Sequence, residues 1–186
     1  AHFPRRPSVE AMKSLAAPGY ITGESSPSYL LDPHAPERLR QFEPNAKIII
    51  LLRNPVSRAY SHYQHSIRFY NEKISFEKAI EREEERIGDE YRQRLKDPRV
   101  MGENYIRFSY ILRGQYYMQV KRWMEAFEKE NILIINSTDY FNKPNEVFTR
   151  VLDFIGLPQW NPGTFKKLNV ANYNSLDPDT RDRLCL

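Results

Sequence analysis

An α/β architecture, three layers with a mainly parallel sheet flanked by helices, follows from three features of the chain. Residues 47–52 and 131–136 are short, continuous apolar runs rich in Ile and Leu. Such runs suit strands covered on both faces of a parallel sheet. The first run is followed at once by Asn54-Pro55, an N-cap residue and a first-turn proline, so a helix begins there. Segments of helical period then fill the chain around the second run, and strands alternating with helices build layered α/β folds.

The elements can be justified in order. Residues 8–17 read as a helix, with Ser8 as N-cap and Val9, Met12 and Leu15 at helical spacing. Pro18-Gly19 breaks it, and Tyr20-Ile21-Thr22 is a short strand candidate. Residues 23–33 are loop-like, and Pro36 opens a helix that runs to Phe42. After Pro55, the apolar positions Val56, Tyr60, Tyr63 and Ile67 form a buried helical face. Ser75 caps a further helix, and residues 81–94 carry so much charge that they read as a solvated helix face. Residues 97–104 are a linker. Tyr116, Val120, Trp123, Met124 and Phe127 mark a strongly amphipathic helix. Another runs from Pro144 to Ile155, with Val147, Val151 and Ile155 inward and Gly156 as its stop. Asp177-Pro178 starts a last helix.

Composition narrows the partners. With 186 residues, 40% hydrophobic and 28% charged, the chain supports one core of ordinary size. A net charge of +4 favours anionic partners without choosing among them. The single cysteine, Cys185, excludes an internal disulfide and a cysteine-based zinc site. It fits a reducing compartment, cytoplasmic rather than the Golgi lumen. No apolar run approaches the roughly 20 residues of a transmembrane segment, and residues 1–7 do not read as a signal peptide.

Ligands of open α/β sheets bind at the carboxyl ends of strands, which places Glu24-Ser25-Ser26 and Arg53-Asn54 on the functional edge. Arg53 leaves the first apolar run beside a helix N-terminus, where free N–H groups and the helix dipole favour an anion. Ser57 and Ser61 share one helical face, so Arg53 could offer a planar fork and Ser61 a hydroxyl to one phosphate. On the residues alone, Arg53 pairing with a carboxylate while Ser61 faces water is an equal reading.

The stretch Arg53-Asn54-Pro55-Val56-Ser57-Arg58-Ala59-Tyr60-Ser61 resembles the 3′-phosphate-binding motif of sulfotransferases that use 3′-phosphoadenosine 5′-phosphosulfate (PAPS). The similarity is greatest to the heparan sulfate N- and O-sulfotransferase group and its bacterial relatives. Three other stretches agree in order. Residues 23–30, Gly-Glu-Ser-Ser-Pro-Ser-Tyr-Leu, are similar to that family's Glu-Lys-Ser/Thr-Pro-x-Tyr loop. Arg113-Gly114-Gln115-Tyr116 with Trp123 looks like its Gly-x-Tyr-x6-Trp helix, and residues 131–157 look like its last strand and helix. The resemblance implies a P-loop NTPase-like sulfotransferase core, truncated here. Residues 1–186 are then one domain, incomplete at the N-terminus and at the C-terminus. None of the seven glycines belongs to a Lys-Gly-Thr-Thr-like loop that would cradle the 5′-phosphosulfate, so the fragment alone is expected to be inactive. Ser25 stands where the family's loop has Lys. Tyr173 is in place near the end, but Asn169, Val170 and Ala171 precede it rather than basic residues, which leaves Lys166 and Lys167 as substitutes.

The implied activity is sulfuryl transfer from PAPS to a hydroxyl or amine acceptor, such as an oligosaccharide or a lipid-linked molecule, with no metal and no nucleic acid. The implied cofactor residues are Arg53, Ser61 and Tyr173, with Arg113, Lys166 and Lys167 in support. Glu24 is the candidate catalytic carboxylate, with a structural capping role as its bland alternative, and the main base is expected in the missing N-terminal part. His62 and His65 read as polar-face residues, His34 as a loop residue, and Arg58 as a ligand contact or a surface ion pair. Tyr116 reads as core that approaches the nucleotide. Two alternatives stay open: a P-loop kinase-like phosphotransferase, which would need a Gly-Lys-Ser/Thr loop, and a non-catalytic polyanion- or nucleotide-binding module.

Overall fold

A computed structural model describes residues 21–100, 102–165 and 173–184. The helix read at 8–17 lies outside the described residues, as does Tyr20; Ile21 and Thr22 are irregular rather than strand. Helix α1 (Ala35–Phe42) has its proline in the first turn and precedes β1 (Ile48–Leu52). Then come α2 (Pro55–Tyr70), α3 (Phe76–Glu81), α4 (Glu83–Lys96) and α5 (Glu103–Phe108). A 3-10 turn at Leu112–Gly114 leads into α6 (Tyr116–Ala126), and a second at Lys129–Asn131 leads into β2 (Ile132–Asn136). Helices α7 (Ser137–Asn142), α8 (Pro144–Ile155) and α9 (Pro178–Leu184) follow. The two strands pair in parallel, Ile48 opposite Ile132 through Leu52 opposite Asn136. Parallel pairing requires a crossover, and α2 to α6 supply it.

One face of this sheet is well covered. Ile48 and Ile50 pack with Trp123 of α6 and Phe127 just after it, while Leu39 of α1 and Ile132 and Ile134 of β2 close the cluster. On the other face Ile135 is buried and α8 packs against β2. Ile49 and Leu51 of β1 nevertheless remain 44% and 49% exposed. The expectation that the first strand is covered on both faces therefore holds for one face among the described residues. The reason is that α1 and α6 both lie on the Ile48 side.

A second cluster binds α2 to the crossover: Val56, Ala59 and Tyr63 meet Phe76, Ala79, Tyr110 and Leu176. The expected buried face of α2 is off by one position at its end. Ile67 is 41% exposed, and Ser66 is buried in its place. The Ser66 hydroxyl donates to the Arg107 carbonyl at 2.9 Å, satisfying a carbonyl near the end of α5, so a small polar residue fits where Ile would not.

Helix α4 is also less solvated than its charge suggests. Glu83, Ile87 and Arg94 are buried. Arg94 pairs with Asp32 and donates to the carbonyls of Pro98 and Val100, while His34 Nε2 lies 2.7 Å from the Arg94 carbonyl. Buried charges are tolerated when so fully partnered. Helix α8 ends as read: Gly156 takes φ 71°, the left-handed region that favours glycine.

Trp123 carries the covered face of the sheet, stacked on Phe127 at 5.9 Å. Trp123→Ala should lower the unfolding free energy by about 3–5 kcal/mol, measured by urea denaturation. A loss no larger than that of an exposed-site substitution such as Met118→Ala would contradict this role.

Candidate functional site

The site is built where β1 passes into α2. Asn54 leaves the strand with φ −45° and ψ 123°, and its side chain accepts from the Ser57 N–H at 3.0 Å. Pro55 occupies the first turn, where a missing N–H costs nothing. The helix N-terminus beside Arg53 therefore keeps its dipole and part of its N–H set directed outward. Arg53 is exposed, and its guanidinium pairs with no carboxylate among the described residues. Ser61 is half-buried further along α2, on the side away from Val56 and Tyr63.

The backbone of Arg53 is fixed from across the crossover. The Tyr116 hydroxyl donates to the Arg53 carbonyl at 2.9 Å. Just before Tyr116, Gly114 lies flat on the start of α2: a Cβ there would stand 3.2 Å from Cβ of Pro55 and 3.6 Å from Nε of Arg58. The Gly-x-Tyr pair thus serves two purposes, a close approach that only glycine makes without strain and a hydroxyl that reaches the strand end. A shallow groove of about 350 Å³ borders this point, lined by Tyr116, Tyr117, Val120, Lys121, Met124 and Glu125.

Behind Arg53 lies a layer of inward-facing cations that the sequence did not disclose. Arg58 turns in and donates to the Tyr110 carbonyl. Burial pushes its pKa down to about 10; Tyr116 and Glu83 favour its charge, while Arg113 and Arg53 oppose it. His62, expected on the polar face, packs edge-on against the Tyr110 ring at 5.1 Å. Burial first, and then the Arg113 and Arg58 charges, lower its pKa to about 3. His62 is therefore neutral at pH 7. Glu83 accepts from the N–H groups of Ile111 and Leu112 at 2.6 and 2.8 Å, and burial raises its pKa in spite of these bonds. Burial alone would also raise the pKa of Glu72, but hydrogen bonds from Arg86 at 2.7 Å and the Tyr110 hydroxyl at 2.9 Å outweigh it.

The other expected site residues are scattered. Arg113 donates to the carbonyls of Pro27 and Ile106 at 3.0 and 3.3 Å, tying the loop after Glu24 to α5, and burial lowers its pKa. Its side chain is spent on that tie. Glu24 is exposed in irregular chain. Its carboxylate lies by the phenol of Tyr29, whose pKa rises to about 12 through burial and then through Glu24. Tyr173 sits edge-on to Tyr60 at 5.7 Å, one position from Ser61, and Leu176 anchors that segment in the α2 cluster. Lys166 and Lys167 lie outside the described residues. Arg53 thus stands just before α2 and Ser61 along it, Tyr173 packs on Tyr60 of the same helix, and Arg113 is turned toward Pro27 and Ile106. Among the described residues, no group of three or more His, Cys, Asp or Glu could hold a metal ion. No described helix is long and apolar enough to cross a membrane.

Residues 16–177 match the sequence model of a family described as a sulfotransferase domain. The chain belongs to the sulfotransferase family. Its relatives include the bifunctional heparan sulfate N-deacetylase/N-sulfotransferase 1 of Xenopus laevis, 31% identical over 72% of this chain and 14% of that protein. The human heparan sulfate glucosamine 3-O-sulfotransferase 6 is 27% identical over 75% of the chain and 36% of its own length. Among solved structures, a sulfotransferase from Alicyclobacillus acidocaldarius superposes with a TM-score of 0.70 at 26% identity, covering 96% of this chain and 64% of that one. The sulfotransferase domain described here therefore spans well under half of those two relatives, and the α/β core with its parallel strands is the sulfotransferase fold.

Two substitutions examine the site's construction. Tyr116→Phe removes the bond to the Arg53 carbonyl and should cost about 1 kcal/mol of stability by chemical denaturation; a neutral result would mean that the hydroxyl does not hold the strand end. His62→Phe tests the neutral histidine. Because its folded pKa, about 3, lies below the ordinary 6.5, the unfolded chain takes up a proton first as pH falls. The His62 contribution is intact above 6.5 and drains away from there toward 3. The thermal midpoint of His62→Phe should fall less than that of the parent over this window, and parallel curves would refute the assignment.

Proposed function

We propose that this sulfotransferase domain binds PAPS through its 3′-phosphate at Arg53 and Ser61 and supports sulfuryl transfer to an acceptor hydroxyl or amine. The observation that carries the reading is a guanidinium at the lip of β1 that has no carboxylate partner among the described residues. It stands beside a helix N-terminus, with its backbone braced by Tyr116 and a helical hydroxyl further along. That donor set suits a phosphate dianion: a planar fork, outward N–H groups and a neutral O–H. Tyr173, packed edge-on against Tyr60, would be a further contact to the nucleotide. Lys166 and Lys167, a few residues earlier in the chain, would add charge to the same anion.

When bound, PAPS would supply the sulfuryl group that passes to the acceptor, leaving adenosine 3′,5′-bisphosphate. What the chain contributes is position and charge, the two terms that dominate such in-line displacements. Arg53 and the partly buried Arg58 and Arg113 create a positive field at the start of α2. Glu24 is exposed on the loop that Arg113 ties down, where its carboxylate can orient an acceptor hydroxyl or accept its proton. The heparan sulfate enzymes among the relatives favour a carbohydrate acceptor.

Calorimetric titration with adenosine 3′,5′-bisphosphate tests the reading. Arg53→Ala should weaken binding roughly 10- to 100-fold, because a charge-assisted bond is lost, and Ser61→Ala about 3- to 10-fold. Undiminished affinity in both variants would remove the phosphate assignment.

A further inference from the structure

Two enclosed polar side chains from different helices grip the turn between α5 and α6. Glu83 of α4 is 6% exposed and accepts from the N–H groups of Ile111 and Leu112 at 2.6 and 2.8 Å. Gln119 of α6 is 4% exposed, and its Nε2 donates to the carbonyls of Leu112 and Gln115 at 2.9 and 3.2 Å. The carboxylate takes N–H donors of the turn, and the amide supplies its carbonyls. Within the turn, the Gly114 N–H donates to the Ile111 carbonyl at 2.8 Å and the Gln115 N–H to the Leu112 carbonyl at 3.2 Å. Such 3-10 bonds are poorer in geometry than α-helical ones, so the side chains are what pin the turn.

This turn carries the backbone of the proposed phosphate ligand. Gly114 lies against Pro55, and Tyr116 reaches the Arg53 carbonyl at 2.9 Å. A binding group must be held to within about 0.5 Å of its productive place. A turn that slipped further than that would take Tyr116 and the end of β1 with it.

Stability alone does not call for these residues. Burial raises the Glu83 pKa in spite of its two bonds. The unfolded chain then ionises this carboxyl more readily, and its charge at neutral pH works against the folded state. Apolar groups of similar shape often replace such buried polar ones without loss. What a carboxylate and an amide add is direction. Glu72 makes the contrast: its bonds come from the Arg86 guanidinium and the Tyr110 hydroxyl, both side chains. Those of Glu83 come from the backbone that leads to Arg53.

We propose that Glu83 and Gln119 are positioning residues for the donor nucleotide, clamping residues 111–115 so that Tyr116 fixes the backbone of Arg53. This role rests on the reading of Arg53 as the 3′-phosphate ligand. Both side chains are enclosed and act only through the turn.

Calorimetric titration of the purified protein and its variants with adenosine 3′,5′-bisphosphate, beside urea denaturation of each, tests the clamp. Glu83→Gln keeps the size of the side chain but turns an acceptor oxygen into an NH2 that meets an N–H. It should weaken nucleotide binding about three- to tenfold. Gln119→Met, which leaves two carbonyls without their donor, should weaken it by a smaller factor. Glu72→Gln should destabilise the fold and leave nucleotide affinity unchanged, because its partners do not lead to Arg53. Glu83→Gln combined with Tyr116→Phe should lose no more affinity than the worse of the two alone, since both act through one link. Were Glu83→Gln not to fold, Gln119→Met paired with Tyr116→Phe gives the same comparison. Unchanged affinity in Glu83→Gln and Gln119→Met, additive losses with Tyr116→Phe, or an equal loss in Glu72→Gln would each overturn the clamp. If the parent binds the nucleotide and Arg53→Ala weakens it while the clamp variants do not, the clamp fails alone. A parent without affinity for the nucleotide refutes the Arg53 reading, and the clamp falls with it.

Discussion

The bond from the Tyr116 hydroxyl to the Arg53 carbonyl joins the two halves of the crossover at the point where the site is made. Without it, the end of β1 would be held only by its ladder to β2 and by the turn into α2. A strand end is the last part of a ladder to be pinned, so a guanidinium there would wander. Tyr116 can reach because Gly114 lets the preceding turn lie against Pro55, and Gly114 is placed by Glu83, which accepts the N–H groups of the same turn at Ile111 and Leu112. The order of dependence runs from a buried carboxylate, to a turn, to a tyrosine, to the backbone of the proposed phosphate ligand. None of these supporting groups needs to touch a substrate.

How much of this was readable in the residues follows from how local each signal is. Asn54-Pro55 and Gly156 act within a turn of themselves, and both behave as read. The apolar runs of both strands and the helix α6 depend only on period and are recovered as elements, although Met124 of the expected apolar face is 50% exposed and Gln119 is buried. The burial of charged groups is a different matter. Arg94 is buried because Asp32, 62 positions away, meets it, and nothing in the charged stretch 81–94 records that partner. His62 and Arg58 share the polar side of α2 by period, yet the segment carrying Ser109, Tyr110 and Arg113 folds over that side and takes them in. In the proposed site, Arg53 and Ser61 were visible because the motif is contiguous. The inward turn of Arg113 was not, because its acceptors are backbone carbonyls, which every sequence has.

The inward layer also explains the electrostatic character of the place. Arg113 and Arg53 lie close enough to Arg58 to oppose its charge, and Glu83 is near enough to favour it. Adding a charged imidazole to this group would be costly, and His62 accordingly stays neutral. Burial penalises each cation, and backbone carbonyls rather than carboxylates offset much of that penalty. A carbonyl stabilises a cation without cancelling its field at a distance, whereas a carboxylate would do both. The arrangement therefore keeps net positive charge beneath the start of α2, where the helix dipole has the same sign.

This choice of partners separates two uses of arginine in one small region. Arg86 and Arg94 have carboxylates, Glu72 and Asp32, and each lies in packing that the carboxylate completes. Their charge is neutralised locally and serves the fold. Arg53, Arg58, Arg68 and Arg113 have no carboxylate bond among the described residues, and all four lie on α2, at its start, or directly beneath it. Placing Arg58 and Arg113 beneath the start of α2 with carbonyl partners costs desolvation and repulsion between the cations, the arrangement expected when an anion compensates them.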